Sequence, residues 1–214
     1  MPDDEWLVSG STSIEEVRGY YDVQAPTYDS TLADWGYDAP WRVAELLLGS
    51  VTEGGSSLHT VLDAGCGTGL AAQALHDAGF EGRLLGVDLS PDSVALARGR
   101  GIYDEVVVGD LQQPLPYDDN SVDAVVCVGV LTYVPDVAAI WAEFCRVTRP
   151  GGRIVLTQRD DVWQERRCND VLHDLEREGA WTVVHLSPPA SYLPGNTDFG
   201  DAIRVRYLAA RVGR

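Results

Sequence analysis

The stretch "VLDAGCGTGLAAQALHDAGF", residues 61–80, decides how the rest of the chain is read. An apolar run ends in Asp63, glycines follow at alternate positions (Gly65, Gly67 and Gly69), and an amphipathic segment begins at once. That is the strand–turn–helix unit of a doubly wound sheet, where ligands bind beyond the carboxyl ends of the strands. Glycine lets the backbone approach a ligand, and the following helix offers unpaired N–H groups and a positive dipole end. An anionic group suits such a turn, and two frames compete for its identity. Gly67, Gly69 and Ala72 fit the dinucleotide pattern GxGxxA, which implies an NAD(P)-dependent oxidoreductase. "DAGCGTG" instead sets Asp63 beside the glycines. A carboxylate repels a pyrophosphate but suits a ligand bearing both an ammonium and a carboxylate, such as methionine. Asp63 tips the choice.

Outward from this stretch the pattern alternates. "TVLDAG" predicts a strand before a helix over 69–79, and "RLLGVD" a second before a helix over 91–99. "DEVVVGD" predicts a third, followed by a Pro/Asp/Asn-rich connection, and "VDAVVCVGV" a fourth before a helix over 135–147. After the turn "RPGG" come "RIVLTQR", a helix over 162–178, and then "WTVVHLS" and "IRVRYLAARV" with only a loop between them. Near-continuous Val/Leu runs indicate strands buried on both faces, hence a largely parallel sheet with helices on each side. The closing pair, lacking a helix between, fits an antiparallel hairpin at one edge. The expected fold is α/β: a Rossmann-like doubly wound, mostly parallel, seven-stranded sheet with that C-terminal edge hairpin and an N-terminal helical cap. Residues 1–51 form the cap and 60–214 the core of a single domain.

In the cap, Thr12 and Ser13 each have a glutamate three residues on (Glu15, Glu16), a capping-box signal for a helix to about Tyr21. A second helix begins near Asp38, which can cap it, with Pro40 in its first turn and Trp41, Ala44, Leu48 and Val51 on one face. "TEGGSS" then reads as a loop.

Composition narrows the partners. The 214 residues carry a formal net charge of −17, and all 16 basic residues are arginine. Without lysine, a P-loop lysine and a pyridoxal-phosphate Schiff base are both excluded. A basic face for nucleic acid is also missing. No apolar run approaches the ~18 residues of a membrane span, and the acidic start "MPDDEWLVSG" does not read as a signal peptide. A cytoplasmic protein is the expectation. The four cysteines form no framework, and with scattered histidines they indicate no metal site. Cys66, between two glycines, has no histidine placed to activate it and reads as a small packing residue.

The set "VLDAGCGTG", "GVDLS", "VGDLQ", "VDAVVCVGVL" and "RPGG", in that order, resembles class I S-adenosylmethionine-dependent methyltransferases. The likeness is strongest over residues 60–158, and the flanks "YYDVQAPTYD" and "LEREGAW" are similar to a methyltransferase-like branch of the family. It implies S-adenosylmethionine as cofactor and S-adenosylhomocysteine as product. By that resemblance Asp63, Gly65 and Gly67 meet the methionine part, and Asp88 accepts hydrogen bonds from both ribose hydroxyls. Leu89 packs on adenine, Asp110 takes its amino group, the Leu111 N–H meets a ring nitrogen, and Val128 lies near the methionine end. Tyr21 and Tyr28 belong to a segment that closes over that end in similar proteins.

Methyltransferases acting on adenine or glutamine amides carry an Asn/Asp-Pro-Pro-aromatic motif after the fourth strand; this chain has "CVGVLTYVPD". A small-molecule acceptor is therefore expected, with neither nucleic acid nor membrane as partner. Tyr133 and Arg159 are the acceptor-pocket candidates. Arg159 either clamps a substrate carboxylate or pairs with Asp160 or Asp161. Alignment and water exclusion suffice for a sulfonium methyl, so no catalytic base is assigned, and His173 and His185 are candidates by residue type alone. A non-catalytic S-adenosylmethionine-binding protein is the alternative.

Overall fold

Each glycine-bounded apolar run becomes a strand, and the amphipathic segments pack on the two sheet faces. The computed structural model describes Trp6 and residues 10–52, 58–198 and 202–213, without the side chains of 50–52. Most of the "TEGGSS" loop and the side chain of Val51 lie outside the described residues.

The elements are α1 (Ile14–Gln24), α2 (Tyr28–Asp34), α3 (Ala39–Thr52), β1 (Thr60–Ala64), α4 (Leu70–Asp77), β2 (Arg83–Asp88), α5 (Pro91–Gly99), β3 (Glu105–Val108) and β4 (Val122–Cys127). A 3-10 turn (Leu131–Tyr133) leads to α6 (Val137–Val147), β5 (Thr148–Arg159), α7 (Asp160–Glu165), α8 (Cys168–Arg177), β6 (Trp181–Leu186), β7 (Ala190–Ser191) and β8 (Arg204–Val212). The strand order is β3-β2-β1-β4-β5-β8-β6, with the two-residue β7 added beside β8. Strands β1 to β5 pair in parallel, and β8 is antiparallel to both β5 and β6.

The seven expected strands are present; the eighth, β7, is too short to leave an apolar run. Other expectations need correction. The helix over 162–178 is two helices, because Arg167 adopts a left-handed φ of 51°. Its neighbour Arg166 donates to the carbonyls of Leu131, Thr132 and Val134, pinning the turn that follows β4. "RPGG" is absorbed into β5 with a register shift against β4. The helix α2 was not expected at all. Ser13, not Thr12, caps α1 by accepting from the Glu16 N–H. The Asp38 carboxylate accepts from Arg42 Nε at 2.8 Å. Trp41 is 40% exposed; the buried face of α3 runs through Ala39, Val43, Ala44 and Leu47.

The alternating side chains of the central strands divide the core. Leu62, Val125, Ile154 and Leu156 face α6, α7 and α8, where Trp141 packs 5.8 Å from Trp163 and 5.2 Å from Trp181 between ring centroids. Val61, Ala124, Val126 and Val155 face α3 and α4. No helix among the described residues is long and apolar enough to cross a membrane.

Trp141 is fully buried, yet its indole N–H has no hydrogen-bond partner among the described residues. Trp141→Ala should cost about 3–5 kcal/mol in urea unfolding, the range for a large aromatic removed from a core. Trp141→Phe sheds the unpaired N–H along with part of the ring. It should cost less than half as much, and equal losses would show that the indole N–H does not burden the fold.

Candidate functional site

The site forms where β1, β2 and β4 end. The Gly65 N–H donates to the Val87 carbonyl at 2.7 Å and the Cys66 N–H to the same oxygen at 3.0 Å. The glycine loop is thereby folded across the end of β2. Gly65 has φ +77°, and a Cβ there would lie 2.3 Å from a Val130 methyl, so only glycine fits. A Cβ on Gly67 would meet nothing within 4 Å, which leaves an open cradle above the loop.

A cleft opens over this cradle. Every residue assigned to the cofactor from sequence lines it: Tyr21, Tyr28, Asp63, Gly65, Gly67, Asp88, Leu89, Asp110, Leu111 and Val128. Tyr133 lines it too. Arg159 does not; it lines an adjoining cavity with Tyr133, Gln158 and Tyr192. Its guanidinium holds the Asp161 carboxylate through two hydrogen bonds, with Nε to oxygen at 3.0 Å. Of the two partners considered from sequence, Asp161 is therefore the one engaged, while Asp160 pairs with Arg206.

Three carboxylates converge on the cleft, each held differently. Asp63 is 1% exposed and accepts from the Tyr103 hydroxyl at 2.6 Å, but its other oxygen has no hydrogen-bond partner among the described residues. Burial pushes Asp63 up to about 7, with Asp88 adding repulsion and the Tyr103 bond working the other way. Asp88 accepts from the Gly67 N–H (2.8 Å) and the Ser90 N–H (2.9 Å), and burial raises it despite these bonds. Asp110 accepts from the Gln112 N–H at 2.8 Å. A buried carboxylate with an orphan oxygen, set over a glycine cradle, fits a cationic group and does not fit a pyrophosphate.

Aromatic side chains from the cap close one end. The Tyr21 hydroxyl donates to that of Tyr133 at 2.9 Å, and Tyr21 stands edge-to-face with Tyr28 and Tyr133. Tyr37 and Tyr192 share a hydroxyl contact of 3.1 Å. Burial raises the phenols of Tyr21, Tyr28 and Tyr37 well above their ordinary range, so they remain protonated donors. The cap is tied down by Asp22, which accepts from Ser90 Oγ at 2.6 Å, and by Asp29, which pairs with Arg100 and accepts from Thr68 Oγ1.

Sequence reasoning missed Ser90, Gln112 and Tyr37 in the cleft and Tyr192 in the adjoining cavity. Ser90 had a signal, since "SPDS" is a helix start. Tyr192 had none, because it arrives from a loop late in the chain. Cys66 is buried, its thiol pushed up by burial, in keeping with a packing role.

Comparison with known proteins bears on this architecture. A family model described as a methyltransferase domain matches residues 62–156. Methyltransferase-like protein 27 of Homo sapiens is 36% identical over 197 residues, covering 86% of this chain and 78% of the human one. A demethylmenaquinone methyltransferase of Tropheryma whipplei is 32% identical over 150 residues; the match takes in 67% of this chain but 59% of that relative. In fold, the chain is similar to the methyltransferase solved with the Haloferax volcanii Trm112 activator. The TM-score is 0.67 at 23% identity, covering 92% of this chain and 98% of that one. The cleft, the motif order and the relatives agree: the chain belongs to the class I S-adenosylmethionine-dependent methyltransferases.

Proposed function

We propose that this protein transfers a methyl group from S-adenosylmethionine to a small-molecule acceptor, as one domain whose N-terminal segment caps the core. The observation that carries the reading is the convergence of Asp63, Asp88 and Asp110 on one cleft around the glycine cradle. In this reading the orphan oxygen of Asp63 takes the cofactor ammonium, and the loop at Gly65 and Gly67 lets the methionine part lie against backbone. Asp88 keeps lone pairs for the ribose hydroxyls, each oxygen being able to accept a second bond. Leu89 and Leu111 sandwich the adenine, Asp110 receives its amino group, and Val128 lines the methionine end.

When bound, S-adenosylmethionine supplies an electrophilic sulfonium methyl that passes to an acceptor lone pair and leaves a neutral thioether. The chain's own contribution is alignment and dryness. Tyr21, Tyr28 and Tyr133 exclude water where the reacting atoms meet, and their aromatic faces favour a cation by about 0.5–2 kcal/mol. These phenols stay protonated, so the acceptor brings its own lone pair. Arg159, beyond Tyr133, belongs to the acceptor side. The net charge of −17 supports a small molecule over nucleic acid.

Ligand titration by calorimetry tests the cleft. S-adenosylhomocysteine should bind and NADH should not; the opposite pattern would return the chain to the dinucleotide reading. Asp88→Ala should weaken S-adenosylhomocysteine by about 1.5–3 kcal/mol, the range for hydrogen bonds to a charged group. Affinity within twofold of the parent would move the ribose elsewhere.

Asp63 makes a separate prediction about pH. Its folded value, about 7, lies above its ordinary 3.8. The folded state therefore holds the extra proton between those values, and the stability from this group is lost as pH rises through about 7. Asp63→Asn should therefore gain stability relative to the parent on going from pH 5 to pH 8 in the absence of ligand, while binding S-adenosylhomocysteine more weakly. A stability difference independent of pH would show that Asp63 titrates normally.

A further inference from the structure

Tyr103 does not line the cofactor cleft, yet its hydroxyl reaches a residue that does. The ring belongs to the segment between α5 and β3, which is tied down on both sides of it. Arg100 Nε donates to the Thr68 carbonyl in the glycine loop at 2.5 Å. Asp104 makes two bonds to Leu84 of β2: its N–H donates to the Leu84 carbonyl and its carboxylate accepts from the Leu84 N–H, both at 2.9 Å. The ring itself fits between two glycines. A Cβ on Gly86 would lie 3.1 Å from Tyr103 Cε1, and one on Gly69 would lie 3.1 Å from Cε2.

A phenol has one proton to give, and this one goes to Asp63 Oδ2 at 2.6 Å. The other oxygen, Oδ1, has no hydrogen-bond partner among the described residues, so the bond to Tyr103 decides which oxygen is left for a ligand. The groups facing Asp63 are Asp88 from β2, Cys66 from the glycine loop and Cys127 from β4. Burial keeps both thiols neutral, while Asp88 repels. Against burial and that repulsion stand the Tyr103 hydroxyl and, more weakly, the Ala72 amide of α4. Arg100 lies on the Tyr103 side but pairs with Asp29. Burial also raises the Tyr103 phenol well above its ordinary range, so it stays a donor.

We propose that Tyr103 is a positioning residue of the cofactor site: without touching the ligand, it leaves Asp63 Oδ1 free for the cofactor ammonium and holds that carboxylate ionised. The inference rests on reading the cleft as the S-adenosylmethionine site. Only an ionised Asp63 attracts the ammonium, and burial beside Asp88 favours the proton instead. A hydrogen bond donated to the carboxylate favours its charged form, so the phenol offsets part of that burial. Cofactor affinity then rises with pH as Asp63 loses its proton, and removing the phenol displaces the rise to higher pH. The adenosine part is held independently, because Asp88 and Asp110 have their own backbone donors.

The test compares two ligands on the full chain: S-adenosylhomocysteine, and methylthioadenosine, which has the same adenosine and thioether but neither ammonium nor carboxylate. Calorimetry at pH 6.5 and pH 8.5 reads both. Tyr103→Phe, which keeps the ring, should weaken S-adenosylhomocysteine at least tenfold at pH 6.5 and by a smaller factor at pH 8.5. It should weaken methylthioadenosine less than twofold at either pH. In an Asp63→Asn background the same change should weaken S-adenosylhomocysteine less than twofold, because the group it acts through is gone. If Tyr103→Phe does not fold, Tyr103→His, whose shorter ring stops short of Asp63, carries the same comparison. S-adenosylhomocysteine affinity within twofold of the parent, equal losses of both ligands, a loss independent of pH, or an undiminished loss in the Asp63→Asn background overturns the proposal. Failure of the parent to bind S-adenosylhomocysteine overturns the cofactor reading and this inference with it.

Discussion

One carbonyl organises the molecule's working end. The Val87 oxygen, at the end of β2, accepts from both the Gly65 and Cys66 amides, while the next residue's side chain, Asp88, accepts from Gly67. These bonds pull the loop after β1 over the neighbouring strand and set Asp63 and Asp88 close enough to repel each other. Everything in the cleft follows from that proximity. The two carboxylates coexist because Tyr103 braces one, backbone amides brace the other, and burial keeps the first partly protonated at neutral pH. Such a pair is electrostatically unfavourable until a cation arrives. The cost is an ordinary one for a binding site, where local structure is held in a form that only the ligand completes.

Much of this was legible in the sequence because its causes are local. Alternation of apolar runs with amphipathic segments identified strands β1 to β6 and β8, and the family resemblance carried by the ordered glycine and aspartate motifs named residues that line one cleft. The less legible parts have non-local causes. A helix break at Arg167 leaves no glycine or proline to mark it; it follows from Arg166 reaching three carbonyls of a turn over thirty residues away. Trp41 sits where helical periodicity places a core residue, yet Val43 and Leu47 take the buried face because Ala39 and Ala44 let α3 approach the sheet there. Tyr192 reaches a cavity beside the site from the far end of the chain, and no spacing rule connects it to residues 61–80.

Besides the apolar packing of α3 on the sheet, specific polar contacts join the cap to the core. Asp22 and Asp29 reach from α1 and α2 to Ser90, Thr68 and Arg100, all in or beside the glycine loop or the helices that follow it. Asp29 is engaged by a hydroxyl and a guanidinium at once, so the cap senses the position of the glycine loop directly. The tyrosines it carries are thus oriented by the same residues that shape the cradle, which makes loop and cap parts of a single mechanical unit.

The placement of β8 has a consequence for how the protein is made. β8 lies between β5 and β6 and runs against both, although it follows β6 in the chain. A ribosome that has delivered residues 60–186 has produced a sheet whose far strand has no neighbour to join, with the β5 edge bare. Until residues 204–212 emerge, that edge presents Ile154, Val155 and Leu156 beside unpaired backbone groups, the sort of surface that recruits other chains. The order of synthesis thus differs from the order of pairing: β6 is made before the strand that joins it to the sheet.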